Sequence, residues 1–176
     1  MNNKAYRKIL IATDGSENAQ KAVASGMELA RVSSARVHAM YVMEMDKVGF
    51  TLESAHSNWK AAMELAATEQ ITIQQWQEIG RMADKECKNE RRKHLTEAAI
   101  QTTSYIENIG KDIGVEVKTV IVEGDAANEI LDHAEKSDVD LVVIGTLGKG
   151  ADGRYLLGSV AEKVIRNSPV EVLSVR

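Results

Sequence analysis

Apolar positions along the chain fall into two kinds of run. Lys8-Ile9-Leu10-Ile11-Ala12-Thr13 is continuously apolar, as expected of a strand covered on both faces. Asp14-Gly15-Ser16-Glu17 ends it, and Ser16 or Asp14 is placed to cap the next helix. From Asn18 to Val32, residues Ala19, Ala22, Val23, Met27 and Ala30 recur at threes and fours, the signature of an amphipathic helix. A second strand comes next at Arg36–Val42, completing one right-handed βαβ unit. The C-terminal half repeats the rhythm. Strands are predicted at Val115–Val122, Asp140–Gly145 and Val170–Val175, with helices over Ala126–Lys136 and Gly158–Arg166 between them. Pro169 cannot continue the last helix, so Asn167 or Ser168 ends it. Alternating strands and helices predict an α/β fold, with a parallel sheet and helices on both faces.

The middle differs. From about Asp46 to Asn108 the pattern holds no convincing strand. Trp59, Met63, Ala66, Ile73, Trp76, Ala83 and Cys87 recur at helical spacings, and Leu95, Ala98, Ala99, Thr102, Ile106 and Ile109 continue them. One helix across the whole region would be too long for a small domain. We therefore expect two or more helices, with breaks near Ile71–Thr72, Gly80 or Lys88–Asn89. Leu95–Lys111 would cross over into the third strand. Residues 46–90 then read as a helical insertion within a single domain spanning 1–176. Trp59 and Trp76 would pack it down or line a partner surface.

Composition narrows the chemistry. Hydrophobic residues make up 44% of the 176 and aromatics only 4%, so the core must be built from Ala, Ile, Leu, Val and Met. A net charge of −4 argues against broad nucleic-acid or anionic-membrane binding. Cys87 is the one cysteine, which excludes an internal disulfide and argues against a Cys/His zinc site. No long apolar run comes after a basic start and none reaches membrane-spanning length, so the expected compartment is the cytoplasm.

Several polar and glycine positions converge on a ligand site. Asp14 succeeds the first strand, Gly145 ends the fourth, Gly148 comes soon after, and Gly158-Ser159 opens the last helix. In a doubly wound sheet these strand ends meet at the carboxyl edge, where ligands bind. Backbone amides near Gly148 and Gly158 can cradle phosphate oxygens. The same residues also read as turn formers and a helix cap. Neither a dinucleotide Gly-x-Gly-x-x-Gly nor a P-loop is present.

The residues as a set resemble the universal stress protein family, in its nucleotide-binding branch. The resemblance rests on Ile9–Glu17, His38–Val42, Val122-Glu123-Gly124-Asp125 and Asp140–Gly148. Nine residues separate Gly148 from Gly158-Ser159, which meets the family signature of Gly, two residues, Gly, nine residues, Gly-Ser/Thr. The resemblance implies an open, twisted five-stranded parallel sheet of the Rossmann-like adenine nucleotide alpha hydrolase type, in order 3-2-1-4-5. It implies an ATP site, with Mg²⁺ or Mn²⁺. Asp14, directly after Thr13, would contact the ribose, and Ala12 and Val42 would flank the adenine. Ile144 and Gly145 would line the ribose-phosphate side. Gly148, Gly158, Ser159 and Val160 would hold the phosphates, with Lys149 beside them. Lys149 stands where Arg is frequent, keeping the charge without the bidentate fork. Asp152 would repel the phosphates, point away, or hold them through the metal. The insertion would cover the nucleotide or build an oligomer contact.

No nucleophile–base–acid set accompanies this cradle. His38 reads as structural and His133 as a surface residue, with His56 and His94 elsewhere. Glu123 and Asp125 read as a solvated turn or a metal aid. The expectation is a regulator that binds ATP and works through partners with little or no hydrolysis. A scaffold acting through the insertion without nucleotide, and a slow ATPase, are the alternatives. The apolar last strand, 170–175, would pair with its symmetry mate in a homodimer.

Overall fold

Residues 6–45, 72–148 and 157–176 are described by the computed structural model. The chain divides into two units, Met1–Glu44 with Thr96–Arg176, and Met45–Leu95. The first unit holds the sheet. Its strands are β1 (Lys8–Ala12), β2 (Arg36–Met43), β3 (Val117–Glu123), β4 (Leu141–Gly145) and β5 (Glu171–Val175). Helices α1 (Glu17–Ser33), α2 (Ile73–Ile113), α3 (Ala126–Lys136) and α4 (Ser159–Asn167) alternate with them. All neighbours pair in parallel, in the order β3-β2-β1-β4-β5. The expected five-stranded topology is thus the observed one.

The continuous apolar run of β1 is explained by its position. Ile9 and Ile11 pack with Ala22, Val23 and Met27 of α1 and Ile106 of α2 on one face. Leu10 and Ala12 pack with Ile130 of α3 and Val164 of α4 on the other. Both clusters are aliphatic, as the scarcity of aromatics requires. Ser16 caps α1 by accepting from the Ala19 N–H at 3.3 Å, as expected. Among the described residues no helix is long and apolar enough to cross a membrane.

The insertion departs from expectation. α2 begins at Ile73, directly after the break expected at Ile71–Thr72, and runs unbroken for 41 residues, so the breaks expected at Gly80 and at Lys88–Asn89 do not exist. A single glycine costs a helix only about 1 kcal/mol. Charged side chains one turn apart also support the helix, such as Glu78–Arg81 at 3.5 Å and Glu90–His94 at 3.9 Å. The insertion and the crossover helix are therefore joined in one helix, whose part from Thr96 onward belongs to the sheet-bearing unit. It ends at Gly114, which takes the left-handed conformation at φ 74°, and β3 starts at Val117 rather than Val115. Trp59, Met63, Ala66 and His56, and the side chains of Ile73, Trp76 and Ala83, lie outside what is described.

His133 is not the surface residue expected. Its Nε2 lies 2.8 Å from Nδ1 of buried His38, tying α3 to β2. One ring must donate and the other accept, so the contact survives only while a facing nitrogen is unprotonated. Burial, reinforced by His133, Lys8 and Lys118, pushes His38 down to about 4. Burial and the same two lysines also lower His133.

This packing makes stability depend on pH. A histidine whose folded pKa is depressed stabilises the fold above its unfolded value of about 6.5, and that contribution is lost as pH falls toward the folded value. Denaturant midpoints should therefore fall between about pH 6.5 and 4, and replacing both histidines by Leu should remove roughly 1–2 kcal/mol of that loss. Within α2, a Cβ at Gly110 would clash with Val117 Cγ2 and lie 2.7 Å from the Val115 carbonyl, whereas at Gly80 nothing lies within 4 Å. Gly110→Ala should cost about 1–3 kcal/mol. Gly80→Ala should stabilise by about 0.5–1 kcal/mol, both read by thermal unfolding.

Candidate functional site

The strand order reverses between β1 and β4. From β1 the chain crosses to β2 on one side, while β4 lies on the other. Ala12 and Ile144 are register partners at the carboxyl end of this pair, and each is only 6% exposed. The loops leaving these two strands diverge and leave a crevice.

The loop after β1 is a chain of short-range hydrogen bonds. Thr13 donates its N–H to the Met40 carbonyl at 3.0 Å. Its Oγ1 accepts from the Gly15 N–H at 3.2 Å. Asp14 Oδ1 accepts from the Ser16 N–H at 2.9 Å, an arrangement that asparagine and aspartate side chains favour in turns. Asp14 is therefore a turn former through one oxygen. Its other oxygen reaches across the crevice: a Cβ built on Gly148 would lie 2.9 Å from Asp14 Oδ2. Glycine at 148 is what lets the carboxylate lie against the opposite backbone.

The loop after β4 is stapled in a similar way. Thr146 donates its N–H to the Val175 carbonyl at 2.8 Å, and its own carbonyl accepts from the Gly158 N–H at 2.7 Å. A Cβ on Gly158 would sit 3.3 Å from that carbonyl and 3.9 Å from the Gly148 nitrogen. The two signature glycines therefore meet backbone to backbone. Gly145 similarly allows the first turn of α1 to approach, since a Cβ there would lie 3.1 Å from the Asn18 carbonyl. Gly158 is the N-cap of α4 and brings no side-chain hydrogen bond to it. The N–H groups of that first turn, with the exposed Ser159 at its head, are not capped by a side chain and are suited to an anion.

An apolar wall continues from the crevice. Val42 and Val160 pack on the same cluster as Ala12 and Ile144. Val42 lies two residues beyond Met40, the register partner of Ala12. Ala12, Val42, Ile144 and Val160 thus share one face, while Asp14, Gly148 and Gly158 meet above it. Lys149, with Gly150–Gly153 and Asp152, lies outside the described residues.

Sequence reasoning passed over Thr146 and Leu157. The Thr146 Oγ1 is buried without a partner among the described residues, and Leu157, like Val160, packs on the wall. Position between motif glycines was the only signal for Thr146. Asp125 proves to be a cap: it accepts from the Asn128 N–H at 3.0 Å and from Lys163 Nζ at 3.2 Å. Among the described residues no group of three or more His, Cys, Asp or Glu side chains is placed to hold a metal ion.

Comparison with known proteins agrees with this geometry. Universal stress protein MJ0531 of Methanocaldococcus jannaschii is 32% identical over 171 residues, covering 97% of this chain and 82% of that protein. The solved structure of MJ0577 superposes with a TM-score of 0.71 at 29% identity, covering 97% of this chain and 96% of that one. A universal stress protein in complex with cAMP has a TM-score of 0.62 at 21% identity, covering 98% of each chain. One from Archaeoglobus fulgidus in complex with dAMP has a TM-score of 0.53 at 19% identity, covering 98% and 99%. Those two proteins of the same fold thus hold adenine nucleotides. The pattern that defines the universal stress protein family matches residues 5–176, nearly the full length, and the chain belongs to that family.

Proposed function

We propose that this protein binds ATP in the β1/β4 crevice and acts as a nucleotide-responsive stress regulator, working through partners with little or no hydrolysis. The observation that carries this reading is the meeting of Asp14, Gly148 and Gly158. A carboxylate suited to ribose hydroxyls lies against a backbone where an added side chain would displace it, beside a helix start whose N-cap residue brings no side-chain hydrogen bond. The apolar wall of Ala12, Val42 and Ile144 suits the faces of an adenine ring. Gly145 borders the ribose side, and Thr13 holds the Asp14 turn in shape. Gly148, Gly158, Ser159 and Val160 would offer N–H groups to the phosphates, and Lys149 would add a charge. Mg²⁺ or Mn²⁺ would arrive on the phosphates and neutralise part of their charge. Proteins of the same fold in complex with cAMP and dAMP support the adenine class.

Calorimetry with ATP and Mg²⁺ tests this reading. Saturable binding is expected; no heat at millimolar nucleotide would sink the idea. Gly148→Ala forces a methyl against the Asp14 carboxylate and should weaken binding by about tenfold or more, the equivalent of roughly 1.4 kcal/mol. Ser159→Ala removes one hydroxyl and should weaken it less. Turnover should stay near the uncatalysed rate in the wild-type chain.

We also propose that β5 mediates a homodimer. It is the last strand on its side of the sheet, and Val172, Leu173 and Val175 remain only partly buried. Bare strand edges invite pairing. The Val175 carbonyl turns inward to the Thr146 N–H, so by alternation the Ser174 N–H faces the open edge. Light scattering at micromolar concentration should show a dimer, and Ser174→Pro, which removes that outward N–H, should shift it to monomer.

A further inference from the structure

The sheet has a second polar concavity, at the edge opposite the crevice. It encloses about 390 Å³ and is lined by the amino ends of β1, β2 and β3 and the carboxyl end of α3. Lys8 and Arg36 are register partners there, as are His38 and Lys118. Alternation along parallel strands puts Lys8, Arg36, His38 and Lys118 on one face. Lys136 and Asp138 reach the same cleft from the end of α3, and Glu116 from the start of β3. Cations outnumber carboxylates.

The cations are not equally committed. Lys8 donates to the Ser137 carbonyl, where the end of α3 favours positive charge. Arg36 meets Glu116 at 3.4 Å in a pair with both side chains mostly exposed, a contact that contributes little. Lys136 is held by Asp132 at 2.8 Å. Lys118 makes no hydrogen bond or ion pair among the described residues. An ammonium without a partner among the described residues, a guanidinium in a weak pair and a second ammonium line one cleft. Such a set suits a compact anion with several oxygens.

We propose that this amino-edge cleft is a second anion site, taking a small multivalent phosphate on Lys118, Arg36 and Lys136 beside His38, the partner of His133. The histidines make the site self-reporting. Beyond burial, the charges of Lys8 and Lys118 help to lower the pKa of both rings. A bound anion opposes that field and favours protonation of the pair. Linkage then requires the bound anion to raise the proton affinity of the rings. The charged groups lining the cleft are Lys8 from β1, Arg36 from β2, Glu116 and Lys118 from the start of β3, and Lys136 and Asp138 at the end of α3. Of these Lys8, Lys118 and Glu116 act on His38, and Lys118 and Lys8 on His133. The site is independent of the nucleotide reading, since it lies at the other end of the strands.

NMR of the His38 and His133 rings in the full chain, titrated with inorganic pyrophosphate at about pH 6, tests it. Sodium chloride at matched ionic strength is the control. Saturable ring shifts are expected, with both ring pKa values raised. Lys118→Glu should weaken pyrophosphate by about tenfold or more, while Lys85→Glu, an equal change of net charge elsewhere, should leave it unchanged. Ring shifts that sodium chloride reproduces would overturn the proposal, as would no saturation by ~10 mM or unaltered affinity in Lys118→Glu. Pyrophosphate shifts confined to the Gly148 and Ser159 amides would also overturn it, while leaving the nucleotide reading intact.

Discussion

The structure depends on one constraint: parallel strands cannot be joined by a tight turn. Each pair needs a crossover, and crossovers in one sheet share a hand. Starting from β1, the chain therefore lays β2 and β3 on one side and β4 and β5 on the other. β1 becomes the central strand, buried on both faces, which is why Ile9, Leu10 and Ile11 are each fully buried. The divergence of the loops after β1 and β4 is a by-product of the same winding. No residue has to create the crevice; the residues there decide only what it can hold.

At that crevice the controlling quantity is backbone distance. Asp14, Gly148 and Gly158 are brought together because two of them lack a Cβ. The resulting surface consists of a carboxylate, peptide groups and a helix start rather than a wall of side chains. It suits a ligand with hydroxyls and phosphate oxygens, and the apolar wall beneath suits a flat ring. This division of polar above and apolar below comes from alternation along β1, β2 and β4.

The two ends of the sheet also differ electrically. At the carboxyl edge, helix starts and backbone N–H groups present partial positive charge. At the amino edge, whole charges do so, and the price is a part-buried histidine pair whose pKa values are lowered by burial and by neighbouring lysines. Position between Asp132 and Lys136 lends His133 the look of a surface helix residue. Only the packing of α3 on β2 turned it inward to His38.

The sequence alone determined the sheet, its helices and the signature glycines, because strand and helix periods and cap residues are local properties. Ser16, Asp125 and Gly158 sit at helix starts as their chemistry demands, and Ala126–Lys136 matches its predicted bounds. Tertiary structure decided the rest. The run from Ile73 to Ile113 became one helix because Gly80 and Lys88–Asn89 impose penalties too small to end it. The approach of Asp14 to Gly148, and of His38 to His133, joins residues separated by more than ninety positions. Such contacts arise from strand order and helix docking, which no local pattern encodes.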